Sequence, residues 1–158
     1  MYMKLEREDW SVLTELALKI ASITVEEMEY VADPDKEPDF EEKALYAKMA
    51  EQLEFMAVKY GPHPLILDTR ADFVRSPEEK ILLKEEAKAL CFQDDYNLRG
   101  SLSKELAELY FEDKGDCEKA LSLVGEAVLD LESGKDLIGL AEAKELRTRI
   151  LSYVEDEK

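Results

Sequence analysis

The sequence predicts an all-α protein of about six to eight helices. Apolar residues recur at steps of three and four along most of the chain, no run alternates with the period of two typical of strands, and capping signals mark several helix starts. With 46% hydrophobic residues but only 6 Gly and 5 Pro among 158, the chain is too apolar for disorder and too poor in turn formers for an all-β fold. We expect one helical domain over 1–158.

The first sixty residues predict helices on either side of an acidic linker. A first helix over about 6–22 has an apolar stripe formed by Trp10, Leu13, Leu16, Ala17 and Ile20. Thr24 and Glu27 are spaced as a capping box, which predicts a short second helix reaching about residue 31. The acidic stretch 33–39 contains Pro and is expected to be a linker.

The later helices have clear start and stop signals. A long helix from about 39 ends at Gly61-Pro62, because Gly accepts the left-handed cap conformation and Pro cannot continue a helix. Pro64 opens the next helix, which is expected to reach about residue 74. Ser76-Pro77-Glu78-Glu79 combines an N-cap, a proline at the first helical position and a glutamate for the capping box. The helices that follow are expected over about 77–92, 96–113, 117–132 and 136–155, the last capped by Asp136.

One segment carries a family signature. Leu106-Ala107-Glu108-Leu109-Tyr110, followed by Gly115-Asp116 and then by Ala120, Val124 and Ala127, resembles the tetratricopeptide repeat over residues 101–132. Small residues at Ala107 and Ala120 allow two helices to approach closely. A weaker copy starts at His63-Pro64, with Ala71 and Ala87 in the corresponding positions. Any helical hairpin with small residues at its crossing produces part of this pattern, so the resemblance has a simpler alternative.

The resemblance implies a short solenoid of stacked antiparallel helix hairpins, with repeat-like pairs over 63–132 and a C-terminal capping helix over 136–155. It also implies a concave groove that binds a partner. Carried over position by position, the groove-facing residues of the better repeat are Lys104, Glu108, Phe111 and Glu112. Those of the weaker copy are Asp68, Asp72 and Arg75.

The residues that catalysis would require are scarce. His63 is the only histidine and lies between two prolines, so we expect a solvated loop histidine rather than a general base. The sequence has no Glu-x-x-His pair and no Gly-rich phosphate loop. The acidic stretch around 33–39 lacks the glycine and the bidentate glutamate of a calcium loop, because Pro38 and Ala44 hold those positions. We expect no catalytic residue, no cofactor and no metal.

Charge and cysteine content restrict the partners and the compartment. The formal net charge of −17 repels phosphate backbones and anionic membranes, so nucleic acid and membrane are not expected as partners. Cys91 and Cys117 are too far apart in sequence for a metal or redox pair, and are expected to be free thiols in a reducing compartment. With no run of about 18 apolar residues and no signal-peptide core, a cytoplasmic protein is expected.

These observations favour a non-catalytic module that binds a basic or amphipathic protein or peptide. A toxin-neutralising immunity protein and a secretion-type chaperone are narrower versions of the same hypothesis. The alternative is an acidic regulatory protein or an inhibitor that mimics nucleic acid, and an enzyme is less favoured. The sequence leaves the partner's identity and the oligomeric state open.

Overall fold

A computed structural model describes residues 2–28 and 40–156. These ranges contain seven helices, α1 (Arg7–Met28), α2 (Phe40–Tyr60), α3 (Pro64–Asp72), α4 (Pro77–Leu90), α5 (Tyr96–Glu112), α6 (Cys117–Ser133) and α7 (Leu137–Asp156). They contain no strand, so the all-α prediction is confirmed. Within these ranges, no helix has both the length and the apolar composition needed to cross a bilayer.

The predicted break near residue 24 is wrong. The helix α1 continues through Thr24 and Glu27 to Met28, so this capping-box pair starts no new helix. Threonine inside a helix costs at most about 0.7 kcal/mol relative to alanine, which is too little to end a helix that is stabilised elsewhere. The predicted linker 33–39, including the proposed start at Asp39, lies outside the described residues. The helix α3 ends two residues earlier than expected, at Asp72.

By its internal contacts the chain divides into two compact units, Met1–Ile66 and Leu67–Lys158. The first unit contains α1 and α2. Asp9 near the start of α1 contacts Tyr60 at the end of α2, which shows that the two helices run antiparallel. The Tyr60 hydroxyl donates to Asp9 Oδ2 at 2.6 Å. The buried core of this hairpin includes Leu13, Ile20, Met49, Leu53 and Met56. The expectation of a single domain over 1–158 stays a prediction.

In the second unit α4, α5, α6 and α7 pack consecutively along the chain. Gly100 near the start of α5 lies against Leu131 near the end of α6, so these helices are antiparallel. Ala107 and Ala120 have no exposed surface, which confirms that small residues lie buried at this crossing. The same core contains Ile81, Leu106, Leu123, Val124, Ala127, Leu131, Ala143, Leu146 and Ile150.

Side-chain caps fix the starts of three helices in the second unit. Ser76 Oγ accepts from the N–H of Glu79 at 3.3 Å, as the Ser-Pro-Glu-Glu motif predicts. Asp136 Oδ1 accepts from the N–H of Gly139 at 3.0 Å, which confirms it as the cap of α7. Asp116 caps α6 in the same way. Each cap is made within four residues, which is why the sequence reveals it.

Two adjacent residues at the end of α6 have different structural roles. Lys135 takes the left-handed conformation with φ of 60°, whereas the preceding Gly134 has ordinary helical geometry. A Cβ on Gly134 would lie 1.7 Å from Oδ1 of Asn97 on α5. A side chain at this position would have to displace the Asn97 side chain, so the glycine allows the close approach of α5 and is not required by the turn itself.

Candidate interaction groove

Four predicted site residues share one face of α5, and that face lies beside α7. Lys104 and Glu108 line a groove of about 610 Å³ between the two helices. Residues of α7 form the opposite wall, namely Glu142, Glu145, Leu146, Thr148 and Arg149. Of the four residues that the spacing of three and four places on one face of α5, Lys104 and Glu108 line this groove, whereas Phe111 and Glu112 are not part of its lining.

Two ion pairs join α5 and α7 along this groove. Lys104 pairs with Glu142 near one end, and Arg149 donates to Glu112 Oε1 at 2.8 Å near the other. Lys104 precedes Glu112 on α5, and their partners Glu142 and Arg149 follow in the same order on α7. The two helices therefore run parallel. These ion pairs also mean that Lys104 and Arg149, the two cations lining the groove, are already bound to carboxylates of the same molecule.

Glu108 has a different environment from these paired carboxylates. Its side chain is half-buried in the groove wall, and it accepts no hydrogen bond from any residue that the structure describes. Burial raises the pKa of Glu108 above its ordinary value, the charge of Lys104 opposes the shift, and the charge of Glu112 adds to it. Glu145 across the groove is exposed and likewise makes no ion pair within the described ranges. The groove therefore retains acceptor capacity that the described residues do not use.

An aromatic pair lies about one helical turn beyond Glu108. The rings of Phe111 on α5 and Tyr153 on α7 meet edge to face, with centroids 5.4 Å apart. The Arg149 guanidinium lies 5.7 Å from the centre of the Phe111 ring. Tyr153 keeps 46% of its surface exposed, so an apolar platform continues the groove.

The second predicted set belongs to an ion-pair cluster around a lysine that no sequence pattern indicated. Lys84 on α4 is 2% exposed, and its Nζ lies 2.7 Å from Asp68, 3.1 Å from Asp72 and 2.5 Å from Glu105. Asp68 and Asp72 are thus brought together, but by Lys84 rather than by the α5–α7 groove. Arg75 is exposed on the segment between α3 and α4.

The charges of this cluster depend on one another. Burial lowers the pKa of Lys84, but its hydrogen bonds to Asp68 and Glu105 outweigh burial and hold the pKa above the ordinary value. Burial also raises the pKa of Asp68, and Lys84 only partly offsets this. Three carboxylates around one ammonium leave a formal charge of −2, so the lysine is required to keep them together.

His63 is not the solvated loop residue that the sequence predicts. It is only 3% exposed, and its ring meets Tyr2 with centroids 4.6 Å apart. Its Nδ1 accepts from the N–H of Leu65 at 3.2 Å, so His63 caps the start of α3. The prolines on either side indicated a loop, but a histidine just before Pro64 at a helix start is also in position to cap that helix.

Both cysteines are free, as expected, and both are partly buried. Burial raises the pKa of the Cys91 thiol to about 11, with Asp95 adding to the effect. A thiol with so high a pKa is almost entirely protonated at neutral pH and is a poor nucleophile.

Fold and groove together define an all-α protein of helical hairpins, with a polar groove between two parallel helices. Comparison of the chain with protein-family models, with curated proteins and with solved structures finds no match.

Proposed function

We propose that the chain is a non-catalytic protein-interaction module whose α5–α7 groove binds a basic, amphipathic segment of a partner protein. The observation that carries the proposal is Glu108, a half-buried carboxylate in the groove without a hydrogen-bond donor among the described residues. A lysine or arginine of a partner supplies that donor and a compensating charge. The neighbouring cations Lys104 and Arg149 are already engaged with Glu142 and Glu112.

The arrangement of the helices supports the same proposal. A tetratricopeptide-like repeat places its two helices antiparallel and sets the first helix of the next repeat parallel to the first helix before it. The helices α5, α6 and α7 have these directions, and small residues lie at the α5–α6 crossing. In this interpretation α7 is the capping helix and the α5–α7 groove is the binding face.

The partner segment is expected to be amphipathic as well as basic. Glu108 and Glu145 suit basic side chains, whereas Phe111 and Tyr153 provide an apolar contact one turn further along. The net charge of −17 accelerates the approach of a basic partner and opposes a free carboxylate terminus. A dedicated cytoplasmic client, such as a toxin or a secreted substrate, is the form of partner that we propose.

The alternative, an acidic inhibitor that mimics nucleic acid, needs rows of free carboxylates. Several acids of the second unit are instead bound to cations or hydroxyls on neighbouring helices. These bonds are Glu85 to Tyr110, Glu126 to Lys88, Asp130 to Arg99 and Glu142 to Lys104. Because these carboxylates are used within the protein, the groove hypothesis has more support.

A pair of synthetic peptides tests the proposal. One is an 18-residue amphipathic helix of Leu and Lys, and the other has Glu in place of every Lys. We expect the full chain to bind the Lys peptide in a titration followed by fluorescence anisotropy, and the double variant Glu108→Gln with Glu145→Gln to bind it about tenfold more weakly.

The control variant changes the net charge equally at exposed sites on α6, through Glu118→Gln with Glu132→Gln. We expect it to retain nearly the full affinity. Equal losses in the two double variants would show that only net charge attracts the peptide, and the groove would then not be the binding site.

A further inference from the structure

A second pocket lies wholly within the first unit, and its chemistry differs from that of the α5–α7 groove. Its volume is about 760 Å³, within the range of small-molecule sites. Much of its wall is apolar or aromatic and comes from Tyr2, Leu5, Trp10 and Leu65. Apolar walls of this kind bind the hydrocarbon part of a ligand.

The residues that line this pocket include two cations and one carboxylate, in contrast to the acidic composition of the whole chain. Lys4 and Arg7 are exposed residues of its wall, and neither forms an ion pair within the described part of the chain. Glu6 also lines the pocket, and its carboxylate shares the Lys59 ammonium with Asp9, at 2.7 and 2.8 Å. In a chain of net charge −17, two cations without an ion pair among the described residues, beside an apolar pocket, favour an anionic ligand at this place.

The walls are held in place before any ligand binds. The N–H of Glu6 donates to Tyr60 Oη at 3.0 Å, and the Tyr60 hydroxyl donates to Asp9. His63 is a buried residue of the pocket wall, where it contacts Tyr2 and caps α3. The bonds of Tyr60 tie the Glu6 side of the pocket to α1 and α2, and those of His63 tie Tyr2 to the start of α3, so binding needs little ordering of the protein.

We propose that this pocket binds a small amphipathic monocarboxylate, with its alkyl or aryl part against Leu5 and Trp10 and its carboxylate at Lys4 and Arg7. The complementarity of charge supports an anion, and the apolar walls support a hydrophobic body. The proposal is independent of the protein-binding role of the second unit, because it concerns other residues and another class of ligand.

The pocket contains its own reporter, since Trp10 is the only tryptophan of the chain. Decanoate and decylammonium have the same chain length and opposite charges. Comparing their affinities therefore distinguishes attraction by the cations of the pocket from attraction by the net charge of the chain. We expect decanoate to change Trp10 emission saturably, with 1:1 stoichiometry by calorimetry, and to bind at least about tenfold more tightly than decylammonium. The net charge of −17 alone predicts the opposite order.

Paired substitutions complete the test on the full chain. Lys4→Gln with Arg7→Gln is expected to weaken decanoate about fivefold, the effect of losing two solvent-accessible ion pairs. Lys19→Gln with Lys48→Gln removes the same charge from exposed positions outside the pocket and is expected to leave the affinity unchanged.

Three results of these measurements would overturn the proposal, and a fourth comes from a separate vesicle experiment. Decylammonium could bind as tightly as decanoate, or the variant of Lys4 and Arg7 could bind decanoate with unchanged affinity. In the third result, decanoate leaves the emission of Trp10 unchanged. Binding to vesicles containing phosphatidylserine without binding of free decanoate would assign the cations to a membrane headgroup and would also overturn the small-molecule site.

Discussion

Gly100 of α5 lies so close to Leu131 of α6 that a Cβ at Gly100 would come within 2.7 Å of Leu131 Cγ. Leu131 is 1% exposed and has little room to move. Gly100→Ala gains about 1 kcal/mol of helix propensity but overpacks the crossing by about 1–3 kcal/mol, so we expect lower stability in urea unfolding. A Cβ at Gly125 of α6 would meet no atom within 4 Å, and Gly125→Ala is expected to raise stability by about 0.5–1 kcal/mol. Similar gains for both variants would disprove the close approach.

The α5–α6 crossing makes a second prediction for its buried alanines. Ala107→Leu and Ala120→Leu insert three extra carbons where no surface is exposed, and each is expected to cost about 1–3 kcal/mol. Ala141→Leu on α7 is the matched control, because Ala141 is exposed and the same change there should stay within about 0.5 kcal/mol. Urea denaturation followed by circular dichroism measures all three. If the buried and exposed variants unfold alike, the repeat-like packing is wrong.

Lys84→Met is expected to lower the free energy of unfolding by about 3 kcal/mol at pH 7, because Asp68, Asp72 and Glu105 lose their shared cation. The value is at the lower end for a buried pair, since the Asp72 side chain is 59% exposed. Lys144→Met at an exposed position of α7 is the control, with an expected change within about 0.5 kcal/mol.

The loss of stability caused by Lys84→Met, called the Lys84 deficit below, should also depend on pH. In the native protein the pKa of Lys84 lies above its ordinary 10.5, so its stabilisation is fully present below that pH and is lost only in strong alkali. In the variant, Asp68 loses the lysine that partly offsets its burial, so burial and the neighbouring carboxylates raise its pKa further in the folded state. The folded variant then binds more protons than the unfolded chain, so the deficit should shrink as pH falls from 7 to 4. A deficit independent of pH would mean that lost packing, and not charge, causes it.

The raised pKa of Glu108 links partner binding to pH. Because burial holds this pKa above the ordinary 4.5, Glu108 loses its charge at a higher pH than an exposed glutamate does. We expect the affinity for the basic Leu-Lys peptide to fall as pH decreases through this pKa, and Glu108→Gln to reduce that dependence. Calorimetry at several pH values should also detect proton release on binding. An identical pH profile in the two proteins would exclude Glu108 from the contact.

The same shift predicts a gain in stability from Glu108→Gln. A carboxyl whose folded pKa is raised binds protons more tightly when folded, so its charged form opposes folding above that pKa. The variant is therefore expected to be more stable than the native protein at pH 7 and to lose this advantage in acid. Lower stability at pH 7 would show that Glu108 is stabilised by its surroundings.

The sequence by itself determined the features that depend on neighbours a few residues away. Ser76 and Asp136 cap their helices as predicted. Gly61 takes the predicted left-handed conformation, with a φ of 71°. The helical period of the apolar residues predicted the fold class. The face shared by Lys104 and Glu108 follows from spacing alone, because residues four apart lie side by side on any helix. That α7 forms the other wall of their groove could not be read from this spacing.

Only the tertiary structure decided which of these residues are buried, paired or left without a partner. Lys84 looks like one more surface lysine of an amphipathic helix, yet its three carboxylates lie 12, 16 and 21 positions away in the sequence. His63 is buried, and Tyr2 packs on it from the far end of the first unit. Such contacts form when distant segments are brought together, and their burial and charge balance depend on all the segments at once. Local patterns fix helices, whereas the pairing of charges between helices depends on how those helices pack.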